Sequence, residues 1–392
     1  MPAEPLIIAA FSGLITWVGL FPLRGFLTRR QMLDIPNGRS SHVIPTPRGG
    51  GLLIVTATLV GCVAFGVTTA SNAESELMAY VFGALLIAGV SWLDDVRSLP
   101  TWVRFVAHSL GAILGITAFG TWGVVDVPLW GQVSLGWIGV ALTFVWIVGL
   151  TNAYNFMDGV DGMAAGQAVV AGIGWAILGW SQEQPLTTTI GLLLASTSCG
   201  FLGHNWSPAK IFMGDVGSTF LGYSFAILPL MAGSLSLNRR FAALTPVAGA
   251  LLVWPFILDS GLTLLRRLFS GENVLAAHRS HLYQRLVKTD CSHRAVSVLY
   301  MTLAATGIGM SLSVAGSRFP TSDWTVITIA LATMGTGLWV HVILREFRLA
   351  VSAQHGSEDS TAPVAVLPIR GEVGTPMMEA SDRANSASRQ AA

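Results

Sequence analysis

Acidic residues in three separated segments of the sequence have the types and spacing of a metal or general-base site. Asp94 and Asp95 are adjacent, and their repulsion should raise one pKa unless a cation lies beside them. Asp158 and Asp161 are three residues apart and would share one face if their segment were helical. Asp215 follows a Phe-Met-Gly tripeptide. Water-exposed helix ends would explain any one of these segments, but that explanation would have to hold three times.

A cationic segment near the N-terminus has the composition of a loop that wraps an anion. Residues 34–51 are too rich in proline and glycine to be helical, and they carry Arg39 and Arg48. The alternative is a solvated loop whose arginines only mark the cytosolic side of a membrane.

A second cationic segment contains His278-Arg-Ser-His281. On a helix the two histidines would face one way, with Arg279 beside them. This arrangement suits a diphosphate, because arginine donates hydrogen bonds in pairs and histidine is a switchable donor. A zinc site is the alternative, but no third ligand stands at the spacing of a metal motif.

These groups must be positioned by membrane-spanning helices. The chain has 392 residues, of which 52% are hydrophobic and only 11% charged, and a bilayer core needs about 20 apolar residues per helix. Candidate spans lie near 5–26, 50–70, 77–93, 103–122, 136–153, 163–180, 186–203, 217–234, 241–264, 295–316 and 323–344. We therefore predict an all-α, polytopic membrane protein with about eleven transmembrane helices. The net charge of +1 does not favour nucleic-acid binding.

The distribution of lysine and arginine predicts the orientation of these spans. Most of them lie in connections that follow odd-numbered spans, and cytosolic loops carry such an excess. The N-terminus should therefore lie outside and the C-terminus in the cytosol, with all the site segments on the cytosolic side. The first span lacks a signal cleavage site and should remain as an anchor. Residues 1–345 would form one membrane domain, and 346–392 a disordered tail without apolar periodicity.

Asp259 lies near the inner end of the ninth predicted span. An ionisable residue there is a functional candidate by default. The structural alternative is an ion pair with Arg266 or Arg267.

Carboxylates and cationic loops on one membrane face are typical of phosphoryl transfer. Mg²⁺ binds through one or two carboxylates together with substrate phosphates. The reaction needs that ion, charge neutralisation and alignment. A nucleotide diphosphate in water and a phosphate on a lipid would fit such a site.

Five sequence blocks between about 30 and 290 resemble, in order, the bacterial polyprenyl-phosphate N-acetylhexosamine-1-phosphate transferases of glycosyltransferase family 4. They are Asp-Ile-Pro-Asn-Gly-Arg-Ser-Ser-His with Pro-Arg-Gly-Gly, Leu-Asp-Asp, Asn-Phe-Met-Asp-Gly-Val-Asp-Gly, Asn-Trp-Ser-Pro-Ala-Lys-Ile-Phe-Met-Gly-Asp-Val-Gly-Ser, and His-Arg-Ser-His. The resemblance implies transfer of a sugar 1-phosphate from a UDP-N-acetylhexosamine to undecaprenyl phosphate, with release of UMP. It also implies a multi-pass enzyme of the bacterial inner membrane, surrounded by membrane lipids, with its active site facing the cytoplasm.

The resemblance also implies roles for individual residues. Asp215 would bind Mg²⁺, with Mn²⁺ as an alternative ion, and Phe212 would stack on uracil. Asp94 and Asp95 would hold the metal or activate the lipid phosphate. The other implied substrate-binding residues are Asn155, Asp158, Asp161, Asn205, His278, Arg279, His281, Arg39, Arg48 and Arg104.

Two departures from the family pattern concern the sugar more than the reaction. His-Arg-Ser-His replaces a denser histidine run, and Arg104 stands where a lysine is common. The first form is most similar to the O-antigen-initiating branch of the family. A peptidoglycan-precursor phospho-MurNAc-pentapeptide transferase is the alternative within the family. In a different class, an ion-coupled transporter would place its acids near the bilayer midplane instead of at helix ends. The oligomeric state, including a homo-oligomer, is left open.

Overall fold

Helices make up most of the described chain. The computed structural model describes residues 3–36, 44–69, 73–127, 130–273, 279–316 and 321–359. The helices there are α1 (Ala3–Arg29), α2 (Gly51–Thr69), α3 (Glu74–Arg97), α4 (Thr101–Phe119), α5 (Trp137–Phe156), α6 (Met163–Ser181), α7 (Pro185–Asn205), α8 (Asp215–Ser234), α9 (Arg239–Leu252), α10 (Trp254–Phe269), α11 (Leu282–Lys288), α12 (His293–Ala315) and α13 (Thr321–Asp359). Ten described helices can each span a membrane, and α9 with α10 would form an eleventh span. The predicted polytopic all-α fold is confirmed.

The ninth predicted span, 241–264, is two helices instead of one. α9 and α10 meet at Val253 with a bend of 74°. Pro255 lies in the first turn of α10, where its ring would clash with the carbonyl four residues earlier in an unbroken helix. The apolar composition continues across this break, so the sequence alone predicts one span.

α8 lies at the centre of the bundle. In their most apolar stretches, 94% of the residues of α8 are buried, against 28% in α1. The first turns of α2 and α8 touch backbone to backbone, because a Cβ added to Gly51 would lie only 2.4 Å from the Cα of Gly217. The N-terminus of α8 is therefore held directly against the N-terminus of α2.

Two short antiparallel strand pairs accompany the helices in the described part of the chain. β1 (Leu33–Asp34) pairs with β2 (Thr46–Pro47), and β3 (Val124–Val127) pairs with β4 (Gly131–Ser134). Of the segment 34–51 predicted to be non-helical, residues 34–36 and 44–50 are non-helical as predicted, whereas Gly51 is the first residue of α2. Residues 37–43, which include Arg39, lie outside the described residues.

The last helix, α13, continues to Asp359, so residues 346–359 of the predicted tail are helical. The chain divides into a unit of Met1–Phe347 and a unit of Arg348–Ala392. Residues 360–392 lie outside the described residues, and both the predicted domain boundary and the predicted disorder there stay predictions.

Candidate active site

A cavity of about 370 Å³ opens where α5 and α7 end and α8 begins. Its walls include the predicted site residues Arg48, Asn155, Asp158, Asp161, Asn205, Phe212, Asp215 and Arg279. Four other predicted residues, Asp94, Asp95, Arg104 and His281, are not part of the cavity wall. His278, like Arg39, lies outside the described residues.

Asp95, at the end of α3, holds the beginning of α8. Its carboxylate accepts the backbone N–H groups of Asp215 and Val216, each at 2.9 Å. A buried negative charge at a helix N-terminus satisfies free amides and is favoured by the helix dipole. Arg48 Nε also donates to this carboxylate, at 2.6 Å. The Asp95 side chain is fully buried and is not part of the cavity wall, and its contacts fix the place of Asp215.

Asp94, in the last turn of the same helix, binds a different arginine. Its Oδ1 accepts the N–H of Leu99 at 2.5 Å, and its Oδ2 accepts from Arg104 Nη1 at 3.1 Å. The same Arg104 nitrogen lies 3.6 Å from Asp215 Oδ2. Arg104 therefore links Asp94 to Asp215, although the two acids are on different helices.

Arg48 joins the N-terminal cationic segment to Asp215. Its Nη2 lies 2.5 Å from Asp95 Oδ1 and 3.3 Å from Asp215 Oδ1. Burial alone would lower the pKa of Arg48, but the carboxylates of Asp95 and Asp215 raise it above its ordinary value. The segment is held in place by the Phe212 amide, which donates to the Pro47 carbonyl at 2.8 Å. Phe212 itself is half-buried in the cavity wall.

Asp158 and Asp161 lie in the loop 157–162 between α5 and α6, so the segment is not helical and the condition for a shared helix face is not met. Gly159 and Gly162 lie in this non-helical stretch, which separates the end of α5 from the beginning of α6. Burial, followed by the charges of Asp215 and Asp95, raises the pKa of Asp158 to about 7. Asp158 is thus a cavity-wall acid that repels its neighbours when ionised.

Asp161 is tied to two other segments. Its Oδ2 accepts the N–H of Ala209 at 3.1 Å and lies 3.4 Å from His293 Nδ1, at the start of α12. Burial alone would raise the pKa of Asp161, but contacts with His293, Ala209 and Ser207 lower it below its ordinary value. The pKa values of the two acids in this loop are therefore shifted in opposite directions.

The two predicted asparagines connect the loops around the cavity. Asn155 Oδ1 accepts from the Ser218 hydroxyl at 2.7 Å. Asn205 accepts the N–H of Gly162 at 2.8 Å and donates to the Ile211 carbonyl at 2.9 Å. Asn205 thus fixes the loop that carries Asp158 relative to the loop that precedes Asp215.

Asp259, in α10, holds the beginning of α11. Its two oxygens accept the N–H groups of Leu282 at 2.8 Å and Tyr283 at 3.0 Å. The Tyr300 hydroxyl donates to it at 2.5 Å, and His281 Nδ1 lies at 3.2 Å.

The predicted alternative of an ion pair with Arg266 or Arg267 is wrong, because these arginines bind elsewhere. Arg266 donates to the Ser280 carbonyl, and Arg267 contacts the Asn273 carbonyl and Glu272.

Residues 77–233 match the family model described as Glycosyl transferase family 4. A Bacillus subtilis (strain 168) protein named as a probable undecaprenyl-phosphate N-acetylglucosaminyl 1-phosphate transferase is 33% identical over 299 residues, which cover 76% of this chain and 81% of that protein. The chain belongs to glycosyl transferase family 4. The family predicted from the sequence is confirmed, while its O-antigen branch stays a prediction.

Two further relatives differ in how much of the chain they match. A decaprenyl-phosphate N-acetylglucosaminephosphotransferase of Mycobacterium tuberculosis (strain CDC 1551 / Oshkosh) is 29% identical, covering 79% of this chain and 83% of its own. A phospho-N-acetylmuramoyl-pentapeptide-transferase of Latilactobacillus sakei is 30% identical but covers only 51% of this chain and 64% of its own. The similarity therefore covers more of this chain for the first of these two relatives than for the second.

This family 4 member also has cavity residues that the sequence reasoning missed. Tyr283, Gln284, Val287 and Lys288, all in α11, line the cavity. Tyr283 donates to the Phe156 carbonyl at 2.9 Å, next to the loop that carries Asp158. Their position in the sequence, directly after the His-Arg-Ser-His block, could have identified them as candidates.

The donor set of this family 4 cavity fits a magnesium ion. No group of three or more His, Cys, Asp or Glu side chains in the described part of the chain is placed to hold a metal by itself. Magnesium uses one or two carboxylates and completes its shell with substrate phosphates and water. Asp215 and Asp158 both line the cavity. Burial is the main cause of the raised pKa of Asp158, and a cation would relieve the repulsion by Asp215 and Asp95 that adds to it.

Proposed function

We propose that this protein transfers N-acetylhexosamine 1-phosphate from a UDP-sugar to undecaprenyl phosphate, releasing UMP. One observation carries the proposal: Asp95 and Arg48 hold Asp215 in the wall of a cavity that is lined by both acidic and cationic side chains. The names of the Bacillus and Mycobacterium relatives support the same reaction type with N-acetylglucosamine. We take N-acetylglucosamine as the proposed sugar, and initiation of O-antigen or a related envelope polysaccharide as the proposed use.

The chemistry exchanges one phosphoanhydride for another. A lipid phosphate oxygen attacks the β-phosphorus, the bond from that phosphorus to the bridging oxygen of UMP breaks, and UMP leaves. The sugar C1–O bond is untouched, so its anomeric configuration is retained. Because bonds of the same type are broken and made, we expect an equilibrium constant near unity.

The side chains around Asp215 would divide this work. Asp215, together with Asp158, would hold a magnesium ion. That ion would neutralise charge on the diphosphate. Arg48 and Arg104 both reach Asp215 and would attract the two phosphate-bearing substrates to one place. Arg279 and Lys288 line the cavity from the side of α11 and would face the sugar diphosphate. Asp94 and Asp95, with their contacts to Arg104 and α8, would hold these groups in alignment.

Purified protein supplied with undecaprenyl phosphate and a UDP-sugar tests the proposal. We expect UMP release with UDP-N-acetylglucosamine, loss of activity in excess EDTA, and recovery with Mg²⁺ or Mn²⁺. Parallel reactions with UDP-N-acetylgalactosamine and UDP-MurNAc-pentapeptide separate the proposed sugar from the peptidoglycan precursor. Full activity in excess EDTA, or no UMP release from any of these donors, would contradict the proposal.

The cavity would face the cytoplasm, with the protein in the bacterial inner membrane. In a variant without the three native cysteines, Ile44→Cys and Glu272→Cys should react with an impermeant thiol reagent only from inside. Glu74→Cys and Leu237→Cys should react only from outside. All four positions are exposed in the described structure. External labelling at residue 272 would reverse the proposed orientation.

A further inference from the structure

One wall of the cavity is built on a helix too short to be stable alone. α11 has seven residues, and four of them line the cavity. Isolated helices shorter than about 12–15 residues are marginal in water. The position of this wall must therefore come from contacts with other parts of the protein.

Asp259 fixes one end of α11, and α13 contacts its side. Glu346 Oε1 accepts from Arg285 Nε at 2.7 Å, and Glu346 Oε2 accepts from Arg285 Nη2 at 2.5 Å. Two parallel bonds of this kind fix orientation as well as distance. Arg345, the residue before Glu346, contacts Cys291 Sγ, which lies three residues after the end of α11. α13 therefore contacts both the helix and the chain that leaves it.

The alternative is an ordinary surface ion pair with no measurable effect, which many such pairs are. Three features favour a positioning role. The Arg285 side chain is only 13% exposed, the geometry is bidentate, and Arg285 lies in sequence between two residues that line the cavity, Gln284 and Val287. The Glu346 carboxylate raises the pKa of Arg285 above its ordinary value through hydrogen bonding, although burial opposes the shift.

We propose that Glu346 is a positioning residue for the UDP-sugar site, acting through Arg285 on the cavity face of α11. This inference rests on the proposed function. It assigns a role to the last transmembrane helix, which lies outside the matched family region of 77–233. Glu346 would touch no substrate, and its effect would pass through the orientation of Gln284 and Lys288, which line the cavity.

The test compares Glu346→Gln with the wild type in the UMP-release assay. The variant keeps the shape of the side chain but loses the charge and one acceptor. We expect the KM for the UDP-sugar to rise about fivefold, the fold-change that about 1 kcal/mol represents. We expect kcat within twofold of the wild type and an unchanged KM for undecaprenyl phosphate. Arg285→Lys cannot donate the two parallel hydrogen bonds to Glu346, so it should also raise the KM for the UDP-sugar.

Glu272→Gln is the matched control. Glu272 also pairs with a buried arginine, Arg267, at 3.5 Å, but that arginine does not line the cavity. Its KM values should be those of the wild type. The exchange Arg285→Glu with Glu346→Arg should recover part of the lost UDP-sugar affinity relative to either change alone, because it restores the opposite charges.

The outcomes separate this inference from the proposed function. No UMP release by the wild type would refute the proposed function itself. An active wild type with an unchanged KM in Glu346→Gln would refute the positioning role. A lower melting temperature in Glu346→Gln at an unchanged KM would reduce the pair to a structural contact, and an equal rise in KM for Glu272→Gln would show a nonspecific charge effect.

Discussion

Two helices that begin at the cavity, α8 and α11, are held by the same device but in different surroundings. In each, an aspartate from a neighbouring helix accepts the first backbone N–H groups, Asp95 for α8 and Asp259 for α11. Around Asp95 the other partner is Arg48, a cation that also reaches Asp215. Around Asp259 the other partners include the hydroxyl of Tyr300 and the ring of His281.

The difference indicates a division of labour. At α8 the cap belongs to a network of charges that ends on a carboxylate in the cavity wall, so its perturbation should reach the reacting phosphates. At α11 the cap is enclosed by protein groups, and the residues it positions form a wall for binding. We therefore expect changes at the first cap to act mainly on kcat and changes at the second to act mainly on KM.

The largest effect should come from the α8 network. Asp215→Asn removes the charge that would hold magnesium, and Asp95→Asn replaces a buried acceptor whose oxygens bind two amides and Arg48. Each should lower kcat roughly a hundredfold or more, as losing one electrostatic stabiliser of a transition state does. Steady-state kinetics of UMP release measures this. Asp126→Asn, in β3, is a control that should retain full activity, and near-normal turnover in Asp215→Asn would break the comparison.

Phe212→Ala sharpens the comparison, because Phe212 borders the α8 network without being charged. Base–aromatic stacking is worth about 1–3 kcal/mol, so the KM for the UDP-sugar should rise roughly five- to hundredfold. A contact made equally in the ground and transition states leaves kcat unchanged. The KM for the lipid phosphate and the melting temperature should stay close to wild type. A fall in kcat at constant KM would instead place Phe212 in the catalytic step.

Asp259→Asn tests the second cap. The substitution removes a buried charge that accepts several hydrogen bonds, and hydrogen bonds to charged groups contribute about 1.5–3 kcal/mol. We expect the KM for the UDP-sugar to rise about tenfold or more, within that range, with a lower melting temperature and a smaller change in kcat. Kinetics and thermal unfolding on the same preparation measure both. If kcat fell as far as in Asp95→Asn, the two caps would not differ in role.

The smallest effect concerns pH and Asp158. Its pKa is about 7 in the folded protein against an ordinary 3.8, so the native state keeps a proton that the unfolded state releases between these values. The contribution of Asp158 to stability is therefore complete below pH 3.8, falls as pH rises, and levels off above about 7. Asn has nearly the shape of the protonated acid and does not titrate. With chelator present, the melting temperature of the wild type should therefore fall relative to that of Asp158→Asn from pH 5 to 7, and the difference between them should then stay constant. A difference independent of pH would contradict the raised pKa.

The spans and the cavity acids could be predicted from sequence because their signals are local. Apolar runs predict spans wherever about 20 such residues are consecutive, and Asp158 and Asp215 lie in motifs that resemble a known family. The bend at Val253 was missed because Pro255 interrupts the backbone without interrupting the apolar composition.

The two caps could not be predicted, because their partners are distant in sequence. Asp95 binds amides 120 and 121 residues further along the chain, and nothing near Asp95 identifies them. Asp259 had two arginines close in sequence, so a local ion pair was the natural alternative, yet its partners lie 22 to 41 residues away. The contact of Glu346 with Arg285 has the same character.

The backbone contact between Gly51 and Gly217 limits how this site can change over evolutionary time. The loop with Arg48 enters α2 at the first glycine, and Asp215 lies two residues before the second, so their packing sets the spacing of the charged groups. An alanine at Gly51 would place its methyl group 2.4 Å from the facing Cα, and one at Gly217 would meet Gly51 at 2.7 Å. When two large side chains collide, a later substitution at one can accommodate the other. Here each partner is already the smallest residue, so a lineage that acquired alanine at either position would have no compensating change available at the other.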